Sequence, residues 1–250
     1  MSSGSRANLL AAVCCASLLE ACASTQLQSV EGTPPVARPQ IKIGDSWSYR
    51  RMDYWKNRET SAYELRVTFA NDKSILAVVT EAGGRDSDAS YTAEWNSIVS
   101  AFDQAVISPD TGMLRFPLRM GATHRTSFQL DSTRRDGEIG SRMIEGVSTS
   151  KFEYTVKVVG WEEVVVPAGR FKALRVEAEG SMLRQQGIVW AGSGAQVTGF
   201  ARTVIWYVPE MKRWVKYLYE DFLRSSASSV PNLLTANDRH GEELLEFKLQ

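Results

Sequence analysis

The feature that most constrains the fold is an alternation of apolar and polar side chains with a period of two residues. It recurs in residues 63–69, 152–158, 174–179 and 215–221. Successive side chains of a strand point to opposite faces of a sheet, so each segment predicts a strand with one buried face. Turn sequences such as Pro167-Ala168-Gly169 separate these segments. They predict a mainly β chain with an antiparallel sheet rather than a parallel α/β core.

The amount of apolar sheet surface predicts the overall shape. A wide sheet buries one apolar face only by curling or by packing against another layer. We therefore expect a single domain over residues 41–250, formed by one strongly curved, half-barrel-like antiparallel sheet with at most short helices. A flat two-sheet sandwich is the alternative. The alternation of Leu245, Phe247 and Leu249 with Glu246 and Lys248 predicts a final strand at the edge of the sheet.

The composition excludes several classes of function. The 250 residues are 43% hydrophobic, enough for a sizeable core, and 29 Lys+Arg balance 29 Asp+Glu. With no net charge to attract a polyanion, nucleic acid is not an expected partner. The two histidines, His124 and His240, are too few for a histidine-based metal site, so neither a metal nor a cofactor is expected.

No arrangement of residues typical of catalysis is present in the sequence. The Gly-x-Ser-x-Gly sequence of a serine hydrolase is absent. Neighbouring acids such as Glu162-Glu163 and Glu242-Glu243 would point to opposite faces of a strand, and we expect them to be solvated. The basic pair Lys212-Arg213 is likewise expected at a solvent-facing strand end. We therefore expect a protein that is not an enzyme.

The first residues have the organisation of a cleaved export signal. Arg6 precedes an apolar segment, residues 7–19, that is too short to span a bilayer permanently. The segment ends in Leu19-Glu20-Ala21-Cys22, which resembles the lipobox of bacterial lipoproteins. The resemblance implies a signal peptide of residues 1–21 and acylation of Cys22. An ordinary signal peptide, cut near Ala21 or Ala23, is the alternative.

The residues after the signal predict how the domain is attached. Residues 22–40 are rich in Ser, Thr, Gln and Pro, a composition typical of a flexible tether. All three cysteines lie within residues 14–22, so the processed chain would keep Cys22 alone and form no internal disulfide. Ala23 stands where many inner-membrane lipoproteins have aspartate. By that rule the expected location is the outer membrane of a Gram-negative bacterium, with the domain in the periplasm.

Several segments together resemble a poorly characterised group of proteobacterial envelope lipoproteins. They are residues 44–49 (GDSWSY), 114–118 (LRFPL) with Gly121, 164–171 (VVVPAGRF) and 206–210 (WYVPE) with Lys212-Arg213. The chain is more distantly similar to LolA, LolB and LppX, whose curved sheets form half-barrels that hold acyl chains. These resemblances imply a fold and a compartment, but no reaction.

The aromatic content suggests a binding surface. Seven tryptophans are many for a domain of this size, and we expect some of them to line a concave apolar face. The candidates are Trp47, Tyr49, Trp190 and Trp206, although core packing is the favoured explanation for aromatic residues of this kind. Two functions remain open. One is a protein that binds a lipid or another apolar ligand, and the other is a scaffold or assembly lipoprotein that contacts another envelope protein through a sheet edge or an exposed patch.

Overall fold

Antiparallel strands make up nearly all of the regular structure in the computed structural model, which describes residues 34–139, 142–188, 193–224 and 234–250. A 3₁₀ turn, Pro209–Met211, is the single helical element of these residues. The strands are β1 Ser46–Asp53, β2 Arg58–Ala70, β3 Ser74–Glu81, β4 Asp86–Thr92, β5 Ser97–Val99, β6 Val106–Ser108, β7 Thr123–Ile139, β8 Arg142–Val166, β9 Gly169–Ile188, β10 Ser193–Val208, β11 Arg213–Arg224 and β12 Leu234–Lys248. The export signal, Cys22 and Trp190 lie outside the described residues.

These strands form one closed barrel, in which each strand pairs with its neighbours in sequence and β1 pairs with β12. The expected mainly β fold is confirmed, but the expected half-barrel is wrong. The expected edge strand is wrong as well, because β12 pairs with β11 on one side and with β1 on the other. Pairing across this seam, for example Trp47 opposite Phe247, satisfies backbone groups that an open sheet would leave free.

The alternation of side chains sorts them between the inside and the outside of the barrel. On β2, Tyr63, Leu65 and Val67 are buried and the residues between them are exposed. The same rule holds for β3, where Ile75, Ala77 and Val79 are buried. The four segments predicted as strands from the period of two all lie within strands of the barrel. Their apolar face is inside the barrel except at Phe69, which is exposed beyond a register shift in β2.

Three glycines allow neighbouring strands to approach closely as the sheet closes. A Cβ atom at Gly180 would lie 2.0 Å from the carbonyl oxygen of Glu153 on β8. At Gly199 and Gly241 the corresponding distances to carbonyl oxygens of β11 are 2.3 and 2.1 Å. Any larger residue would force the backbones apart, so these positions need glycine for the barrel to close.

The antiparallel order gives the barrel two different ends. At one end, which we call the plug end, β1 begins, β12 ends, and turns join β2 to β3, β8 to β9 and β10 to β11. At the far end lie the last residues of β7, β9 and β11 and the first residues of β8, β10 and β12. Residues 34–45 lie at the plug end, where Val36 forms a bridge with Leu118 and Arg38 Nη1 donates to the carbonyl oxygen of Asp72 (3.0 Å).

Candidate binding site in the barrel

Aromatic side chains from β1 and from the segment after β4 hold the turn between β10 and β11 inside the plug end. The indole N–H and phenol O–H groups of these residues donate hydrogen bonds to three backbone carbonyl oxygens. The bonds are Trp47 Nε1 to Met211 O (2.9 Å), Trp95 Nε1 to Lys212 O (2.8 Å) and Tyr49 OH to Trp214 O (2.6 Å). Trp95 adopts a left-handed backbone conformation (φ 66°), which is unfavourable for a residue with a side chain. The surrounding packing thus stabilises a conformation that the local sequence disfavours.

Arg213 lies at the centre of this aromatic cluster and is only 1% exposed. Five ring centroids lie within 6 Å of its guanidinium carbon: Trp214 at 3.8 Å, Trp95 at 4.2 Å, Tyr91 at 5.2 Å, and Trp47 and Tyr49 at 5.8 Å. Its Nε and Nη1 atoms have no hydrogen-bond partner among the described residues. Attraction between the cation and the ring faces therefore stabilises this buried charge. We call Arg213 and these five aromatic residues the plug.

Burial controls the protonation of the tyrosines in and beside the plug. It raises the pKa of Tyr49 and Tyr91, although the nearby Arg213 charge acts in the opposite direction. Burial also raises the pKa of Tyr63, and the Glu242 carboxylate raises it further. These phenols are therefore neutral at physiological pH, and the positive charge of the plug is not cancelled by a phenolate.

Beyond the plug, inward-facing side chains remain partly accessible. Tyr217 and Tyr219 on β11 lie opposite Ile205 and Thr203 of β10, and both of those residues are buried. Burial raises the pKa of Tyr217 and Tyr219, yet each side chain keeps accessible surface. Inward-facing side chains of a barrel keep accessible surface where neighbouring side chains do not cover them completely. We call this region, lined by Arg51, Tyr217, Tyr219 and Glu242, the inner chamber.

Two charged groups of the inner chamber are not in ion pairs. Arg51 lies opposite Glu242 in the pairing of β1 with β12, and Glu242 lies opposite Tyr217 in the pairing with β11. Neither Arg51 nor Glu242 forms an ion pair with another described residue. The Arg51 guanidinium lies 4.3 Å from the ring centroid of Phe102, and Trp214 Nε1 donates to Glu242 Oε2 (3.4 Å). Both groups are thus available to a polar atom inside the barrel.

Nearer the far end, a buried carboxylate inside the barrel connects three strands through hydrogen bonds. Asp221 is 1% exposed and accepts hydrogen bonds from four groups on three strands. The donors are Arg184 Nη2 (3.1 Å), Tyr219 OH (3.2 Å), Asn237 Nδ2 (2.9 Å) and the Asp238 backbone nitrogen (3.0 Å). Both oxygens of the carboxylate are occupied, which fixes the orientation of Tyr219 toward Asp221.

Trp206 lies on the outer wall, between the inward-facing residues Ile205 and Tyr207. Its Nε1 donates to the Glu162 carboxylate, and the Lys216 ammonium lies 5.7 Å from its ring centroid. Around it, ion pairs connect neighbouring strands from β8 to β12. They are Glu162 with Arg175, Arg175 with Glu177, Glu177 with Arg202, Arg202 with Glu220, and Glu220 with Arg239.

The structure brings together only some of the sequence-predicted site residues. Trp47 and Tyr49 meet in the plug and have no exposed surface, whereas Trp206 is on the opposite side of the wall. Trp190 lies outside the described residues. The binding role of all four residues stays a prediction.

Sequence reasoning missed Arg213 and Glu242, which were expected to face solvent. The alternation of β12 could have identified Glu242, because it lies two residues before the buried Leu244. Arg213 could not be identified in this way, because the register shift between β10 and β11 interrupts the alternation at Val215, and Trp214 faces inward beside Arg213. Charge alone favoured the surface for both residues.

A polar cleft of about 360 Å³ lies beside the segments that flank β5 and β6. Its lining includes Glu94, Asp110, Arg115 and Arg125. Within the described ranges, no group of three or more His, Cys, Asp or Glu residues is placed to hold a metal ion. In the same part of the chain, no helix is long and apolar enough to cross a membrane.

No model of a known protein family and no curated protein matches the sequence. Two solved structures are similar to it: a candidate lipoprotein from Parabacteroides distasonis (14% identity, TM-score 0.40) and a candidate exported protein with a YmcC-like fold from Bacteroides fragilis (15% identity, TM-score 0.39). Each similarity covers 86% of this chain and 100% of the other. Similarity at this level assigns no function, and the relation to proteobacterial lipoproteins and to LolA, LolB and LppX stays a prediction.

Proposed function

We propose that this protein is a non-enzymatic envelope lipoprotein that binds a lipid or another apolar ligand inside its barrel. The observation that carries the proposal is the inner chamber, where Tyr217 and Tyr219 face inward and keep accessible surface. Ligand sites are commonly concave and apolar, with a few polar groups that fix orientation. The two tyrosines offer aromatic surface, and Arg51 and Glu242 supply the polar groups.

The proposed location follows from the N-terminal sequence. Acylation of Cys22 would anchor the chain, and Ala23 supports the outer membrane with the barrel in the periplasm. A protein held there meets lipids and other apolar molecules that are poorly soluble in water. The barrel interior would shield such a molecule, because apolar surface is stabilised by about 25 cal/mol for each Å² removed from water.

The proposal is tested by identifying what copurifies with the protein. Residues 23–250 are purified without detergent, extracted with organic solvent and examined by mass spectrometry. We expect a lipid or another apolar compound in stoichiometric amount. Tyr217→Ala and Tyr219→Ala should lower this amount, whereas Leu218→Ala, which faces the outside on the same strand, should not. Folded protein that carries no such compound, and takes up none when offered one, contradicts the proposal.

The scaffold function remains a second candidate because of one feature of the sheet. β7 extends from its last pairing with β6, at Asp131, as far as Ile139. Along this stretch it pairs with β8 on one side and with no described strand on the other, so the second side offers a sheet edge to a partner strand. A specific crosslinked envelope protein, combined with an empty barrel, would favour this second function.

A further inference from the structure

The exposed large apolar side chains are concentrated at the plug end. Among the described residues there are seven such side chains, and five of them lie there: Ile43, Phe69, Leu76, Val165 and Phe247. Trp55 lies at the far end and Val106 lies on β6. Scattered single apolar residues are normal on a protein surface, whereas a concentration at one end is typical of a contact surface.

Three of these side chains are close neighbours. Phe69 and Leu76 lie opposite each other beside the turn that joins β2 to β3. Ile43 precedes Gly44, whose backbone nitrogen donates to the Val67 carbonyl oxygen, two residues before Phe69. Their exposed fractions are 42% for Phe69, 44% for Leu76 and 63% for Ile43.

The other two apolar side chains lie on the same rim. Val165 lies beside the β8–β9 turn, and the Ala168 nitrogen of this turn donates to the Leu244 carbonyl oxygen on β12 (3.0 Å). Phe247 is three residues further along β12, toward the end of that strand. The apolar side chains therefore border the plug end from several strands.

The N-terminal chain reaches the barrel at this same end. Val36 bridges to Leu118, and Arg38 donates to the β2–β3 turn beside Phe69 and Leu76. Twelve residue steps separate Cys22 from Pro34, the first described residue, and a fully extended chain spans about 3.5 Å for each step. An anchor at Cys22 therefore keeps the plug end within about 40 Å of the membrane surface.

Exposed basic residues accompany the apolar ones. Lys42, Lys73 and Lys248 all lie at the plug end and are exposed. Exposed acidic residues, among them Asp72, Glu163 and Glu246, lie at the same end. The apolar side chains, which can enter the bilayer interface, therefore carry the contact rather than an excess of positive charge.

We propose that the plug end is a membrane-docking surface that rests on the lipid bilayer holding the Cys22 anchor. This inference rests on the lipid anchor of the proposed function. The anchor provides the attachment and a high local concentration, so a weak interfacial contact is enough to orient the barrel. The far end of the barrel then points away from the membrane.

The orientation can be measured with single cysteine labels in the full-length protein, expressed and processed in cells. A correctly processed chain keeps only Cys22, which is acylated, so one introduced cysteine gives a unique labelling site. Phe69→Cys and Val165→Cys report on the plug end, and Trp55→Cys, which is also exposed, is the matched control at the far end. Each purified lipoprotein is labelled with an environment-sensitive dye and inserted into vesicles containing brominated lipid, a quencher confined to the bilayer.

We expect the brominated lipid to cause a loss of dye fluorescence at positions 69 and 165, and none at position 55. Replacing Ile43 and Leu76 with Glu should reduce the quenching at position 165 while the circular dichroism spectrum stays unchanged. Equal quenching at the two ends, or no quenching at either, overturns the inference. Incorporation of labelled palmitate separates the two proposals: protein that lacks palmitate overturns the anchor, and the docking surface with it. Acylated protein without plug-end quenching overturns the docking surface alone.

Discussion

The guanidinium carbon of Arg213 lies 3.8 Å from the ring centroid of Trp214, the residue that follows it in the chain. Neighbouring strand residues normally point to opposite faces of a sheet. Here the register between β10 and β11 shifts next to this pair, and both side chains enter the plug. A buried arginine without a carboxylate partner is unfavourable because its charge is desolvated, so the surrounding rings must offset that penalty.

Replacement of Arg213 tests how the plug stabilises this charge. Arg213→Lys should lower the free energy of unfolding by about 1–2 kcal/mol, because an ammonium group lacks the planar surface that stacks on Trp214 and Trp95. Arg213→Met should stay within about 1.5 kcal/mol of the wild type, because it preserves volume and removes the desolvation penalty. Urea unfolding followed by tryptophan fluorescence measures both. A larger loss for Met than for Lys would contradict this account.

Asp45 connects three parts of the plug end through one buried carboxylate. It accepts hydrogen bonds from Lys212 Nζ (2.8 Å), from the Lys42 backbone nitrogen (2.9 Å) and from the Gln250 backbone nitrogen (2.8 Å). Asp45→Ala would leave the Lys212 ammonium and two backbone donors without their acceptor. We expect a loss of about 3–5 kcal/mol in unfolding free energy, measured in urea.

The matched control for Asp45 is Asp72→Ala. This exposed residue lies in the β2–β3 turn at the same end of the barrel, and only its backbone oxygen accepts a hydrogen bond from another part of the chain. Its replacement should change stability by no more than about 0.5 kcal/mol. Similar losses for the two variants would show that the carboxylate of Asp45 has no special role.

The crowded glycines predict where the barrel cannot accept a methyl group. Gly180→Ala places a Cβ atom 2.0 Å from the Glu153 carbonyl oxygen, and this oxygen belongs to the backbone of β8 and cannot rotate away. The thermal unfolding midpoint of this variant should fall, and its free energy of unfolding should decrease by about 1–3 kcal/mol. The exposed neighbour Ser181→Ala should leave the midpoint nearly unchanged. A Gly180→Ala protein as stable as the wild type would contradict the close approach of β8 and β9.

The sequence predicted individual strands better than it predicted their closure. Local alternation identified β2 from Tyr63, Leu65 and Val67, because a strand with one buried face has apolar residues at every second position of a short segment. Closure depends on the pairing of β1 with β12, where Ser46 lies opposite Lys248. No local pattern records a partner about 200 residues away, so an open half-barrel and a closed barrel have the same strand signals.

The candidate site was predictable only in part, for a related reason. Aromatic content indicated Trp47 and Tyr49, which do lie inside the barrel. The same reasoning wrongly placed Trp206 on the inner face. Composition counts a tryptophan in the same way whether it lies on the outer wall, as Trp206 does beside Glu162 and Lys216, or in the core. Aromatic type does not specify a face, whereas the position of a residue in the alternation does.

Replacement of Cys22 tests the lipid anchor. Cys22→Ser removes the thiol at the lipobox position, and Cys14 and Cys15 lie within the apolar leader. Acyl chains contribute about 0.8 kcal/mol for each buried methylene, so their loss should abolish stable anchoring. We expect no incorporation of labelled palmitate, and either unprocessed precursor in the inner membrane or trimmed protein released into the periplasm. Normal palmitate labelling and outer-membrane fractionation of this variant would refute the lipobox interpretation.

Ion pairs of two carboxylates predict how stability depends on pH: Glu177 pairs with Arg175 and Arg202, and Glu243 pairs with Arg50 and Lys216. Burial alone would raise the pKa of Glu243, but hydrogen bonds from Lys216 and Arg50 outweigh it and hold the pKa below its ordinary value of 4.5. At Glu177, burial is outweighed in the same way by Arg202 and Arg175, and the pKa is also lowered. For a carboxyl group with a depressed folded-state pKa, the stabilisation is fully present above the unfolded-state pKa. It is lost as the pH falls through the folded-state value.

The free energy of unfolding should therefore be constant above about pH 5 as far as these groups are concerned, and should fall below about pH 4.5. Glu177→Gln and Glu243→Gln should each lower stability at pH 7 and flatten the decline between about pH 4.5 and pH 3, because glutamine takes up no proton there. Urea unfolding at a series of pH values measures the slope. Glu64→Gln is the control, because this exposed residue of β2 forms no ion pair with another described residue. If Glu64→Gln flattens the acid decline as much as the other two variants do, the pH dependence arises from overall charge and not from these ion pairs.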